Sequence, residues 1–237
     1  GGSTGGDGTG GSTGGVGGTG GDGSGGSIGG MGGSTGGTGG AGGTGGGSGA
    51  GGGGTGGTPT NEIISLDGYV AEGSNTVGIT GPWYVFYDSL STISAVPAEF
   101  VGAGADVCVS GTISQSDEYG PTLALNLNQA DTALDPLGYV PADHGIVGFT
   151  WGITGSAPPS TLQVTFLGMD GSNYCEFMTP GTSNALSIAQ AQLDCWNGSG
   201  TAATTSTSFQ AVQFQLPVNY HADGQAFSFC ITNLKAL

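Results

Sequence analysis

The chain has 237 residues, of which 55 are glycine and 10 are proline, and its 17 acidic side chains face a single basic one, giving a formal net charge of −16. With Lys235 as its one Lys or Arg, the protein cannot neutralise a phosphate backbone or an anionic lipid surface, which excludes nucleic acids and anionic membranes as partners. No apolar run approaches the roughly 20 residues that a membrane span requires.

Residues 1–58 form a low-complexity tract. They hold 36 of the 55 glycines, with Thr and Ser making up most of the remainder, and they contain no proline, cysteine or aromatic residue. A segment with so few large apolar side chains cannot bury a core, whereas the residues that follow can. We therefore expect a Gly/Thr/Ser-rich arm at 1–58 and one globular domain at 59–237.

Glycine recurs at every third position in the first part of this arm. The recurring residues are Gly2, Gly5, Gly8, Gly11, Gly14, Gly17, Gly20, Gly23, Gly26, Gly29 and Gly32. Three residues is the repeat of the polyproline-II-type helix, which needs glycine where neighbouring chains touch. These glycines are predicted assembly positions of an extended, polyglycine-II-like arm. A disordered spacer is the alternative, because ordering an isolated tract costs about 1–2 kcal/mol per residue.

The rest of the chain has the pattern of an all-β domain. Short runs with period-two alternation of apolar and polar residues are separated by Gly, Pro, Asn, Asp and Ser, as in half-buried strands. The clearest runs are Trp83–Tyr87, Val107–Val109, Leu123–Asn128, Val147–Ile153, Leu162–Leu167, Val212–Leu216 and Phe227–Ile231. Only Ser187–Leu193 resembles a helical turn. This number of strands predicts a β-sandwich of the jelly-roll type.

Alternation also predicts the inward and outward faces of these strands. The predicted core positions are Leu123, Leu125, Leu127, Val147, Phe149, Trp151, Ile153, Leu162, Val164, Phe166, Val212, Phe214, Leu216, Phe227, Phe229 and Ile231. The opposite faces are rich in amides, including Asn126, Asn128, Gln163 and Gln213. Amides both donate and accept hydrogen bonds, as recognition of a neutral polyhydroxyl ligand requires. An ordinary solvated sheet face is the alternative.

Four cysteines without a C-x-x-C pair favour disulfides over a zinc site, and disulfides indicate an exported, extracellular or cell-surface protein. Three pairings are open. We favour Cys175–Cys195, which closes a local loop, and Cys108–Cys230, which joins an early strand to the last one.

Chemistry beyond binding has little support in the sequence. No distinctive pair of carboxylates marks a glycosidase, and the two histidines, His144 and His221, lie in loop-like contexts, so we expect no enzyme activity. No cofactor is predicted beyond a structural Ca²⁺, for which Asp67, Glu72 and Asp88 are the candidate ligands.

Several segments together resemble a known family of folds. They are GPWY at 81–84, VCVSGT at 107–112, YG at 119–120, LNLNQ at 125–129, GFTW at 148–151, LQVTF at 162–166 and FCITNL at 229–234. Their order and spacing resemble the galactose-binding-like jelly rolls that serve as carbohydrate-binding modules, above all those of bacterial surface proteins with a Gly-rich tether. The resemblance implies a sugar on the concave sheet or at the loop tips, on the face of Asn126, Asn128, Gln163 and Gln213 with Tyr119 nearby.

Two hypotheses of function follow. The first is a non-catalytic structural protein, a homopolymeric subunit of an extracellular fibre or matrix whose Gly-rich arm packs against neighbouring chains. The second is a tethered carbohydrate-binding module for a cell-surface or extracellular polysaccharide.

Overall fold

The computed structural model describes residues 61–237, and the predictions for the Gly-rich arm, including its eleven periodic glycines, lie outside these residues. The described part is an antiparallel β-sandwich of twelve strands. The strands are β1 (Tyr69–Val70), β2 (Gly81–Phe86), β3 (Thr92–Val96), β4 (Val107–Thr112), β5 (Thr122–Asn126), β6 (Gly148–Ala157), β7 (Leu162–Gly168), β8 (Asn173–Met178), β9 (Asn184–Ser187), β10 (Gln192–Leu193), β11 (Phe209–Gln215) and β12 (Ala226–Ala236).

The helical segments of the described residues are short 3-10 turns between strands. They are Ala98–Phe100, Pro141–His144, Ile188–Gln190, Cys195–Asn197 and Val218–Tyr220. No helix among residues 61–237 is long and apolar enough to cross a membrane.

The strand order confirms the jelly-roll topology. One sheet has seven strands in the order β1-β2-β5-β11-β7-β8-β10, and the other has five in the order β3-β4-β12-β6-β9. Their central parts, β5-β11-β7-β8 and β4-β12-β6-β9, interleave in the way that eight jelly-roll strands do. Each of the seven predicted runs falls on one of these strands, with ends shifted by a few residues.

Aromatic contacts between the two inner faces form the centre of the core. Phe149 and Trp151 of β6 meet Phe166 of β7 and Phe214 of β11, with ring centroids 5.8 Å apart for Phe149–Phe166 and 5.3 Å apart for Trp151–Phe214. Edge-to-face and tilted arrangements of this kind add to the free energy gained by burying the rings. The strands therefore present their alternate, polar side chains to the outer faces.

The predicted core is confirmed except at Val147. Its side chain is 54% exposed, whereas the other predicted core residues are buried. Val147 lies just before the first residue of β6, where its N–H donates to the carbonyl of Leu237 and its carbonyl accepts from Ile188. The alternating sequence pattern already includes Val147, but β6 begins only at Gly148, so Val147 lies outside the covered part of the sandwich.

The predicted helical turn at Ser187–Leu193 is only partly correct. The segment ends β9, makes one 3-10 turn at Ile188–Gln190 and continues into β10. Ser187 and Gln190 form a capping box, which satisfies the backbone at the start of this turn and explains its helical pattern.

Both disulfides have the pairing that the sequence favoured. Cys108–Cys230 joins residues directly opposite each other on β4 and β12, and Cys175–Cys195 joins β8 to the turn that follows β10. Their sequence separations are 122 and 20 residues.

We expect the long-range disulfide to stabilise the fold more than the local one. Replacing Cys108 and Cys230 by Ser lowers the free energy of unfolding by about 5 kcal/mol, and replacing Cys175 and Cys195 lowers it by about 3 kcal/mol, because a longer loop constrains the unfolded chain more. Urea unfolding without reductant measures both changes. A larger loss from the local pair would contradict this ranking.

Candidate functional site

A groove of about 1070 Å³ lies on the outer face of the seven-stranded sheet. Its floor is formed by side chains of β2, β5, β11, β7 and β8, and its rim by the loops at 118–119, 195–198 and 217–220. The volume is at the upper end of the range for small-molecule sites. This groove is the candidate site.

Strand register assembles its floor. Phe86, Thr122, Gln215, Gln163 and Phe177 are directly paired from β2 to β8, and all of them line the groove. Five strands about 4.8 Å apart give this row a length of about 19 Å. Residues separated by up to 129 positions in the sequence, Phe86 and Gln215, thereby form one continuous strip.

A second row lies beside the first. It runs from Tyr84 through Ala124, Gln213 and Thr165 to Cys175, and Gln213 and Thr165 line the groove. Burial raises the pKa of Tyr84, against the opposing effect of its hydrogen bond with Gln213. The phenol therefore stays protonated.

The glutamines of the floor are held in place by neighbouring groups. Nε2 of Gln163 donates to Oγ1 of Thr165 at 3.2 Å, and Nε2 of Gln215 donates to the carbonyl of Tyr119 at 2.6 Å. Each amide has more donors and acceptors than these bonds use. The floor therefore presents fixed, uncharged hydrogen-bonding groups to the groove.

Exposed aromatic rings stand around this polar floor. Trp196 is 53% exposed on one rim, and Tyr119 is 58% exposed on another. Phe177 and Tyr220 form a tilted pair with ring centroids 5.1 Å apart, and Phe86 lies against Tyr84 at 5.9 Å. Rings exposed beside an amide floor offer apolar faces to a ligand that also hydrogen-bonds.

The Tyr119 loop is fixed by two reciprocal carboxylate contacts. Oδ2 of Asp88 accepts the backbone N–H groups of Glu118 and Tyr119 at 2.8 and 2.7 Å. In return, the carboxylate of Asp117 accepts the N–H groups of Leu90 and Ser91. The loop after β2 and the loop after β4 therefore hold each other.

Gly120 allows this loop to approach β11. It has a φ of +98°, and a Cβ at this position would lie 2.3 Å from the carbonyl oxygen of Leu216. Any other residue would push the Tyr119 loop away from the sheet.

The structure gathers part of the predicted sugar-binding set. Tyr119, Gln163 and Gln213 line the groove together. Asn126 lies on the same face but is buried beneath a loop, where its Nδ2 donates to Oε1 of Gln129 at 2.6 Å. Asn128 follows β5, and its amide donates to the carbonyl of Gly138, outside the groove.

The predicted calcium ligands do not come together. Among residues 61–237, no three Asp, Glu, His or Cys side chains lie close enough to hold a metal ion. Asp67 instead accepts the N–H of Gly102 at 2.7 Å, Asp88 holds the Tyr119 loop, and Glu72 is exposed in a turn. Asp67 and Asp88 are thus used as acceptors for loop N–H groups.

Several groove residues were not recognised from the sequence. No binding role was assigned to Trp196, Phe86, Phe177 or Tyr220. The sequence carries one signal for Trp196, which directly precedes the turn-forming pair Asn197-Gly198 and therefore lies in a loop. Phe177 and Tyr220 meet only through tertiary structure.

His221 supports the turn that carries Tyr220. It is buried, and its Nε2 donates to the carbonyl of Thr161 at 3.0 Å. Burial lowers the pKa of His221, although the hydrogen bond to Thr161 opposes this change. The neutral imidazole is therefore the form that the folded protein favours.

The fold should weaken at mildly acidic pH because of His221. In the unfolded chain the pKa of a histidine is about 6.5. Below that value the unfolded chain binds the proton more readily than the folded one, so the free energy of unfolding falls as the pH drops through the lower, folded pKa. Urea unfolding at pH 7.5 and 5.5 measures the loss, and His221→Gln should reduce it. The same loss in the variant would assign it to other groups.

Comparisons with known proteins give similarities of fold. No protein-family model matches the chain, and no curated protein is significantly similar in sequence. A solved structure similar to it is the family 11 carbohydrate-binding module of the cellulosomal cellulase Lic26A-Cel5E of Clostridium thermocellum, with a TM-score of 0.45 and 13% identity over 76% of this chain and 96% of the module.

Two further structures are similar over shorter parts. They are an agarase, AgWH50C, with a TM-score of 0.38 and 10% identity over 65% of this chain and 24% of the agarase, and PfGH50B, with a TM-score of 0.40 and 8% identity over 66% of this chain and 22% of that protein. None of these comparisons assigns a role to a residue of the groove, which has to be interpreted from its own geometry.

Proposed function

We propose that this protein binds a neutral polysaccharide in the groove of the seven-stranded sheet, as an extracellular carbohydrate-binding module. The observation that carries the proposal is the row of paired side chains from Phe86 to Phe177, in which uncharged polar groups are flanked by rings. The length of this row, about 19 Å, suits several sugar units better than one.

The floor has the chemistry that sugar hydroxyls need. Every hydroxyl can donate one hydrogen bond and accept others, so its best partners are groups that do both. Gln163, Gln213 and Gln215 are such groups, and hydrogen bonds to Thr165 and to the carbonyl of Tyr119 fix the positions of Gln163 and Gln215 before the ligand arrives. Preorganised partners lower the entropic cost of binding.

The rings supply the apolar part of recognition. A sugar ring has a face of C–H groups that packs against an aromatic plane. Trp196, Tyr119 and the Phe177–Tyr220 pair present such planes at the rim and floor of the groove. Amphipathic ligands therefore fit this site better than ligands that are wholly polar.

Charge restricts the ligand to neutral polymers. Glu118 lines the groove, and the chain's one Lys or Arg, Lys235, lies in β12 of the other sheet. Uronate, sulfate and phosphate groups would meet a negative field with no cation to offset it. Anionic polysaccharides should therefore bind poorly.

The groove favours binding without hydrolysis. Glycosidases generally place two carboxyl groups on either side of the scissile bond, about 5–9.5 Å apart. Of the described residues that line the groove, Glu118 is the only carboxylate. We therefore propose a non-catalytic module.

The two disulfides support the proposal that the protein is exported, because disulfides form and persist in oxidising compartments. Self-association into a fibre depends on the Gly-rich arm at residues 1–58, outside the described residues, and it remains a prediction.

Trp196 is the aromatic residue expected to contribute most to binding. Trp196→Ala should weaken binding by about 10–30-fold, the loss associated with an interface hot spot of about 2 kcal/mol. The test is affinity electrophoresis and calorimetry against mixed-linkage β-glucan, xylan, galactomannan and agarose, with alginate and polygalacturonate as anionic comparisons. Tyr87→Ala, at a ring that is 51% exposed outside the groove, is the matched control. No binding to any neutral glycan of this panel would refute the proposal.

The amide floor gives a second, independent prediction. Gln163→Ala or Gln213→Ala should each weaken binding to the same neutral glycan by about 3–10-fold, since one net hydrogen bond contributes about 0.5–1.5 kcal/mol. Gln192→Ala is the control, because Gln192 pairs with Cys175 on the same sheet but lies beyond the lining of the groove. Equal losses in all three variants would assign the effect to the sheet and not to the floor.

A further inference from the structure

We propose that the Cys175–Cys195 disulfide positions Trp196 for ligand binding, an inference that rests on the proposed function. The Cys108–Cys230 disulfide has no such role. The two bonds would then differ in kind: one sets the geometry of the groove, and the other only stabilises the fold.

Cys175 provides a rigid point of attachment on the sheet. It lies in β8, where it is directly paired with Thr165 of β7 and with Gln192 of β10, and it is fully buried. Its side chain belongs to the second floor row, next to Thr165, which lines the groove. The disulfide therefore starts from the floor itself.

The turn that carries Trp196 is tied to this point through its first residue. Cys195–Asn197 is one 3-10 turn, flanked by the left-handed residues Asp194 and Gly198. The N–H groups of Asn197 and Gly198 donate back to Asp194 and Cys195, so they stabilise the turn internally.

Backbone contacts of Leu193 with Thr201 and of Gln192 with Ala202 hold both ends of this loop at β10, and between these ends Cys195 links the turn to the sheet. It forms the disulfide, and its N–H lies 3.2 Å from Sγ of Cys175. The preceding residue, Asp194, adds one backbone hydrogen bond to Asn173. The sheet contact nearest to Trp196 is therefore the cystine.

No other ring holds the indole. Among residues 61–237, no aromatic side chain packs against Trp196, whereas Phe86, Phe177 and Tyr220 of the groove each have a partner ring. A half-exposed side chain without such a partner depends on its backbone for its position. Loss of the disulfide should therefore release Trp196 while the sandwich remains intact.

The second disulfide is the matched control. Cys108 and Cys230 lie opposite each other on β4 and β12 of the five-stranded sheet, and neither lines the groove. Removing this pair makes the same chemical change, the loss of one disulfide, but leaves the connection between the Trp196 turn and the sheet unchanged.

The first experiment needs no ligand. The chain has three tryptophans, and Trp83 and Trp151 are buried in the core, so their indole N–H signals report on the fold while that of Trp196 reports on the turn. Nitrogen-15 relaxation is measured for the full chain and for the double variants Cys175→Ser/Cys195→Ser and Cys108→Ser/Cys230→Ser. The order parameter of Trp196 should fall from near 0.85 to below about 0.6 in the first variant only.

The second experiment is a double-mutant cycle. It uses the neutral glycan of the panel to which the native protein binds most tightly. Cys175→Ser/Cys195→Ser should weaken binding by about as much as Trp196→Ala, and it should weaken it no further when Trp196 is already Ala. The Cys108→Ser/Cys230→Ser variant should bind as tightly as the native protein. No loss of binding in the Cys175→Ser/Cys195→Ser variant, or a loss that adds to that of Trp196→Ala, would overturn the positioning role.

The outcomes separate the two proposals. An indole that stays ordered without the disulfide, or that is already mobile in the native protein, overturns the positioning role whatever the ligand. Collapse of the Trp83 and Trp151 signals in the variant also overturns it, because the disulfide would then serve the whole fold. A native protein that binds no neutral glycan refutes the proposed function, while the relaxation data still decide the role of the disulfide.

Discussion

The groove depends on the packing of the two inner sheet faces. Aromatic contacts such as Trp151–Phe214 and Phe149–Phe166 hold β6 against β11 and β7. Because side chains alternate with a period of two, burying one set of residues fixes which set points outward. A slip of one residue in β11 would bury Gln213 and Gln215 and expose Phe214. The register that the core requires is thus also the register that aligns the floor of the groove.

Many acidic side chains of the loops act as hydrogen-bond acceptors for backbone N–H groups. With one Lys or Arg in the chain, ion pairs are scarce, and the one found among residues 61–237 joins Lys235 to Glu62 at 3.9 Å. Carboxylates instead accept backbone N–H groups, as Asp67, Asp88 and Asp117 do. Such charge-assisted bonds are stronger than neutral ones. Those of Asp88 and Asp117 order the Tyr119 loop at the groove rim without the use of a cation.

Part of the candidate site could be predicted from the sequence. Gln163 and Gln213 were found because alternation identifies the outward face of a strand, and Tyr119 because the family resemblance places it near that face. Asn126 obeys the same alternation, but a loop covers it, and alternation carries no information about what lies above a sheet face. The candidate calcium ligands do not come together, and Asp67 and Asp88 instead accept backbone N–H groups in two different loops, which acidic composition alone does not predict.

The sequence by itself determined the all-β class, the inward residues other than Val147 and the favoured disulfide pairing, because these follow from local alternation and from the number and spacing of cysteines. Only the tertiary structure decided which outward residues become neighbours. Phe86, Gln163 and Phe177 lie on three strands far apart in the chain, and strand order and register bring them into one row. That arrangement is set by long-range packing between the sheets, and the local sequence pattern of one strand carries no information about it.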